Sequence, residues 1–189
     1  MPTYIVLLRA VNVGGTGKLS MEDFRNLLED LGFRNIKTYI QSGNAVFDAT
    51  GSAAKVTQSI SAGLEKLLGT KAGGAPIGVI LRTHEQLTRV ISGNPFAAEA
   101  AANGALVHAA FLAGPAGNEA AAALAAIAAK YPTRRDRYHL AGDTIYFHFP
   151  DGAGETKFSG KALDKALGVT ATARNWNTIL KLHEMSKPK

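Results

Sequence analysis

The sequence predicts an α+β protein built from two tandem ferredoxin-like subdomains, each β-α-β-β-α-β, followed by a C-terminal helix. Three observations carry this expectation. Short β-branched and aliphatic runs alternate with apolar residues at helical spacing. The resulting order of elements occurs twice along the chain. A last amphipathic stretch follows the second set. The halves share this pattern without convincing residue-level identity, and the expected boundaries are 1–83, a connecting helix and loop at 84–104, 105–174, and a terminal helix and tail at 175–189.

In the first half, residues 3–8 (TYIVLL) read as a strand buried on both faces, because no polar residue alternates with the aliphatic ones. A glycine-rich loop, VNVGGTGK, follows it. Ser20 is placed to cap a helix, with Asp23 three residues on as its partner. Phe24, Leu27, Leu28 and Leu31 then recur at helical spacing until Gly32 closes the helix. Residues 35–40 and 45–48 are short strands around the turn signal QSGN. Val56, Ile60, Leu64, Leu67 and Leu68 form the stripe of a helix over 53–68, and a strand at 77–82 ends the set.

The second half begins after a connecting helix at 84–92 and an Asn94-Pro95-Phe96 break. Its strands are expected at 106–112, 136–140, 144–149 and 169–173, with helices at 118–130 and 160–167. Pro132 ends the alanine-rich helix, Ala141-Gly142-Asp143 turns the hairpin, and Gly168 ends the short helix. The terminal helix, 175–186, puts Trp176, Ile179, Leu180 and His183 on one face.

Composition removes whole classes of function. The 189 residues contain no cysteine, which excludes disulfide scaffolds, cysteine-based zinc sites, iron–sulfur clusters and thiol nucleophiles. The longest apolar run, Ala120 to Ala129, is about half of the roughly 20 residues a bilayer demands. Arg9 interrupts the only stretch resembling a signal-peptide core, so a cytoplasmic protein without membrane contact is expected. Net charge is +6, and residues 130–189 hold 11 Lys/Arg against 6 Asp/Glu, whereas 84–129 hold 1 against 3. Such a balance suits an anionic partner, and it equally describes a solvated basic face.

Topology gives the sharpest indication of a site. In a split β-α-β the chain leaving strand one and the hairpin joining strands two and three emerge at the same end of the sheet. Arg9, Asn12 and the 13–18 loop should therefore lie near Gln41, Ser42 and Asn44, with the first helix pointing its N-terminus there. Glycines that turn N–H groups inward, a helix N-terminus and Arg9 or Lys18 would together make an anion pocket. The alternative is that both segments are simply tight connections.

TARNWNT (172–178) is a second dense segment. Arg174 and helix N–H groups could hold a phosphate, Asn175 could cap the helix, and Trp176 could stack on a base beside Asn177. Alternatively Trp176 packs the helix onto a sheet. Familiar nucleotide motifs are absent: a P-loop aligned on Gly17-Lys18 would need Gly at 12 and Ser or Thr at 19, where the chain has Asn12 and Leu19. Gly14, Gly15 and Gly17 do not make a Rossmann fingerprint either. Ser42 lacks the nucleophile-elbow glycine, Ile40 occupying that place. The five histidines show no metal spacing, although His139 and His148 could face one another across a hairpin. No metal, cofactor or acid/base pair is expected.

LLRAVNVGG (7–15), YIQSGNAVF (39–47), Asn94-Pro95-Phe96 and TARNWNTILKL (172–182), in this order, resemble the bacterial family called domain of unknown function 1697. The resemblance spans essentially the whole chain and implies two α+β subdomains. It supplies no catalytic residues, and GTGKLS departs from the family's usual Lys-Asn-Lys-type loop.

The leading expectation is a binding protein for an anionic ligand, either a phosphate-bearing metabolite or single-stranded nucleic acid. Its site would be a cleft of segments 9–18, 41–44 and 174–177, with Arg9 and Arg174 supplying charge, Asn12, Gln41, Ser42, Asn44, Asn175 and Asn177 orienting the ligand, and Trp176 stacking. The alternatives are an enzyme acting on a small phosphorylated or amide-bearing substrate in the same cleft, and a structural or dimerisation module.

Overall fold

The computed structural model describes residues 1–9, 11–12, 18–68, 77–158 and 160–188. Its first strand, β1 (Thr3–Leu8), has Tyr4 through Leu8 buried without alternation, as its unbroken aliphatic run requires. Helix α1 (Met21–Asp30) begins at Ser20, whose Oγ accepts from the Asp23 N–H at 2.9 Å and donates to Asp23 Oδ2 at 2.7 Å. It ends where Gly32, at φ +79°, lets the Phe33 N–H reach back to the Leu28 carbonyl. Strands β2 (Arg34–Tyr39) and β3 (Asn44–Asp48), helix α2 (Ala53–Leu68) and strand β4 (Val79–Arg82) complete the set. The sheet order is β2-β3-β1-β4, with every neighbouring pair antiparallel.

One face of this sheet carries the core. Tyr4, Val6, Leu8, Ala45 and Phe47 meet Phe24 and Leu28 from α1 and Val56, Ile60 and Leu64 from α2. The four-residue recurrence on α2 sets one buried stripe against the strands. On the other face Ile5, Leu7, Val46, Ile80 and Arg82 are buried too.

Helices α3 (His84–Ser92) and α4 (Ala97–Ala102) follow, then strand β5 (Val107–Leu112), helix α5 (Ala120–Lys130), strands β6 (Arg137–Ala141) and β7 (Thr144–His148), helix α6 (Gly160–Leu167), strand β8 (Ala171–Asn175) and helix α7 (Trp176–Met185). The second sheet has the order β6-β7-β5-β8, again antiparallel throughout. Ala110, Leu112, Ile145 and Phe147 line its core face, closed by Leu124 of α5 and by Leu163 and Leu167 of α6.

The chain divides into two compact units, Met1–Arg89 with Lys181–Lys189, and Val90–Leu180. The 84–104 connector is helical over α3 and α4, and is shared between the units. Within the first unit the tail is held by polar aromatic contacts. The His183 ring stacks on His84 at 4.1 Å between centroids, Thr88 Oγ1 lies 2.9 Å from His183 Nε2, and Ser186 Oγ 3.1 Å from His84 Nδ1. Burial first, then His84 and Lys187, push the His183 pKa below the ordinary imidazole range. Among the described residues no helix is long and apolar enough to cross a membrane.

Three local expectations are corrected. The run Ala97 to Ala102, expected as loop, is helix α4, as its alanine content favours. Strand β8 extends through Arg174 and Asn175, because its ladder with β5 continues to the pair His108 and Asn175; Arg174 therefore lies within the sheet, and Asn175 ends the strand directly before helix α7. His139 does not face His148. The turn at Gly142 and Asp143 pairs Ala141 with Thr144, which sets His139 opposite Tyr146 and Arg137 opposite His148.

Candidate functional site

The first unit brings two polar loops together at one end of its sheet. Leu7 pairs with Asn44 in the ladder, and the Leu8 N–H donates to the Gly43 carbonyl at 2.8 Å. The strand end at Arg9 thus sits beside the hairpin of residues 40–43. Asn12 joins them. Its Nδ2 donates to the Leu19 carbonyl at 2.8 Å and the Gln41 carbonyl at 2.7 Å, while its Oδ1 accepts from the Leu19 N–H at 3.0 Å. One amide therefore ties the entry of α1 to the hairpin. Asn44, fully buried, donates to the Tyr39 carbonyl at 3.1 Å and to Ser42 Oγ at 2.9 Å, fixing the hairpin from inside.

The backbone here is strained. Asn12 has φ +56° and Ile40 φ +48°; asparagine tolerates that region, whereas a β-branched residue rarely adopts it. Ile40 is also 50% exposed, so burial does not account for its placement. Gln41 is exposed and Ser42 half-buried. The α1 N-terminus is already served by Ser20, Glu22 and Asp23, so positive charge at this end rests on Arg9 and Lys18. The glycines at 14, 15 and 17, assigned to an N–H cradle from sequence, lie outside the described residues.

Asn12→Ala removes the three hydrogen bonds that hold Leu19 and Gln41, and leaves buried Leu19 backbone groups unpaired. It should lower unfolding stability by about 2 kcal/mol, read from chemical denaturation.

The second dense segment behaves differently. Trp176 is 6% exposed and Arg174 8%. Arg174 Nη1 donates to Thr172 Oγ1 at 2.9 Å and the Ala173 carbonyl at 2.8 Å, and desolvation lowers its pKa to about 10. Asn175 Oδ1 accepts the Thr178 N–H at 2.9 Å, so Asn175 is both the last residue of β8 and the cap of α7. Asn177 is exposed, and its Oδ1 fills the space where a side chain at Gly104 would go. The Trp176 ring is buried, which leaves no open face for a base to stack on. Trp176 emission should be blue-shifted and unchanged by a short single-stranded RNA. Quenching of that emission by RNA would contradict its burial.

Asn94-Pro95-Phe96 is likewise a local structural device. Asn94 Oδ1 accepts the Phe96 N–H at 2.9 Å. The Phe96 ring lies 4.9 Å under the Arg137 guanidinium, which also pairs with Glu99 and approaches His148 Nδ1 at 2.9 Å. No three His, Asp or Glu side chains gather as a metal site among the described residues.

A family model described as a protein of unknown function, DUF1697, matches residues 1–146. The chain belongs to the DUF1697 family. This stretch contains three of the four segments that carry the sequence resemblance, including both loops joined by Asn12. No curated protein matches the chain. Among solved structures, this DUF1697 member is similar to the conserved bacterial protein SP0830 from Streptococcus pneumoniae, with 21% identity, a TM-score of 0.61, and coverage of 98% of this chain and 99% of that one. That likeness concerns the fold alone. The four segments that carry the sequence resemblance include neither Asp136 nor Lys157, which line one cavity with Arg134 in the folded second unit.

Proposed function

We propose that the protein binds a small phosphate-bearing metabolite at the loop end of its first unit. The observation that carries the reading is the pair of positive-φ residues, Asn12 and Ile40, joined at the exposed Gln41 beside the strand end that carries Arg9. Strain of this kind, maintained at a solvent-facing loop, is characteristic of positions kept for recognition. Arg9 and Lys18 supply charge, Gln41 and Ser42 supply hydrogen bonds, and Asn12 and Asn44 keep the two loops in register.

A small phosphate ester is favoured over single-stranded nucleic acid because the stacking residue that nucleic acid would use, Trp176, is buried with Arg174. The strand orders β2-β3-β1-β4 and β6-β7-β5-β8, antiparallel throughout, support reading the two units as tandem ferredoxin-like subdomains.

Calorimetric titration with glycerol 3-phosphate tests the assignment. Loss of a charge-assisted hydrogen bond should weaken binding of the Arg9→Ala protein by about tenfold or more. Equal affinity in parent and variant would remove Arg9 from the site. Separately, Ile40→Asn should raise stability by about 1 kcal/mol by relieving the backbone, and a loss of stability would show that Ile40 is held there by packing.

A further inference from the structure

A cavity of about 120 Å³ lies in the second unit, between the end of α5, the turn leading into β6, and the segment before α6. Its apolar walls include Ile127, Pro132 and Phe158. Its polar lining is Arg134, Asp136 and Lys157, and the ammonium groups of Lys130 and Lys157 lie 5.8 and 5.7 Å from the centroid of the Tyr131 ring.

The charged groups are incompletely used. The Asp136 side chain is 3% exposed, and its Oδ2 accepts from Thr156 Oγ1 at 2.8 Å. Asp136 Oδ1 and the Arg134 Nε and Nη2 are buried and, among the described residues, find no hydrogen-bond partner. Arg134 Nη2 and Asp136 Oδ1 stand 3.7 Å apart, too far for a direct hydrogen bond. An ion pair held apart in this way, its donors and acceptor without direct hydrogen bonds among the described residues, defines by complement a ligand that would bridge it.

We propose that this cavity is a binding site for a small carboxylate that carries a hydrogen-bond donor on the neighbouring carbon, an α-hydroxy or α-amino acid. Nε and Nη2 form one edge of the guanidinium, and two parallel donors match the two oxygens of a carboxylate. The adjacent hydroxyl or ammonium donates to Asp136 Oδ1. A phosphate dianion is disfavoured, because its second charge would face the Asp136 carboxylate. The volume suits about five or six heavy atoms, judged against a roughly 150 Å³ cavity that holds benzene, and the apolar walls accept a side chain as short as a methyl group. This site is independent of the loop end of the first unit.

Titration of the isotopically labelled protein with lactate, read by amide NMR, tests the proposal. Saturable shifts are expected at residues 127–136 and 156–158, with acetate, which lacks the donor, binding about tenfold more weakly. Asp136→Asn should remove the preference for lactate over acetate. Arg134→Gln should abolish binding of both, and should that variant fail to fold, Arg134→Lys keeps the charge but removes the two-donor edge and should still weaken lactate. Equal binding of lactate and acetate by the parent, tighter binding of inorganic phosphate, or an unaltered response in the arginine variants would overturn it. So would the absence of saturable shifts, which would make Arg134 and Asp136 an internal ion pair only.

Discussion

Gly43→Ala should lower stability by about 2–4 kcal/mol. Two independent costs combine at this position. Gly43 has φ +73°, where an alanine is strained. A Cβ built there would lie 2.6 Å from Val11 Cγ2 and 2.7 Å from Leu8 Cβ, and the second of these cannot rotate away. Leu8 is the strand residue whose N–H bonds the Gly43 carbonyl, so the clash falls on the seam joining β1 to the hairpin. Gly104→Ala is the informative contrast. A Cβ built there would meet first Asn177 Oδ1, the far end of an exposed side chain that can swing aside. Denaturant midpoints of both variants should separate clearly. Equal, small losses would mean that the strand-to-hairpin seam adapts more readily than this packing allows.

Acid should destabilise the second unit through His108. Burial pushes its imidazole pKa down to about 4 from an ordinary value of 6.5, a hydrogen bond with the Leu106 backbone opposing the shift. The unfolded chain therefore binds the proton more readily than the folded one, and stability rises with pH across the interval between these values. Stability is fully present above about 6.5 and is lost as pH falls towards 4, by about 3 kcal/mol in all. His183, also lowered by burial, acts in the same direction. His108→Gln should flatten the pH profile between these limits by close to one proton relative to the parent. An unchanged slope would contradict the assignment.

Most elements are legible because they are driven by local periodicity and strong punctuation. Helix α2 shows its buried stripe at Val56, Ile60 and Leu64, and Ser20, Asp23 and Gly32 mark both ends of α1. The relation of the 9–12 segment to the 41–44 hairpin is legible for a topological reason, since antiparallel placement of β3 beside β1 leaves no other end for the hairpin. What the sequence conceals depends on partners distant in the chain. Strand β8 runs to Asn175 only because β5 offers His108 opposite it, and no residue near 174 announces that pairing. The meeting of His148 with Arg137 instead of His139 follows from a hairpin register fixed by the turn at Gly142 and Asp143. The Arg134 and Asp136 cavity draws on α5, the turn after it and the segment at 156–158, segments that sequence spacing does not link.

The most direct test of the account maps backbone amide shifts while glycerol 3-phosphate is added to the labelled protein. The predicted result is saturable movement of the Arg9, Asn12, Gln41 and Ser42 amides, weakened by added salt and lost in an Arg9→Ala, Lys18→Ala protein. Saturation without movement at these positions, or movement confined to residues 127–158, would contradict it and leave the joined loops of the first unit as structural connections alone.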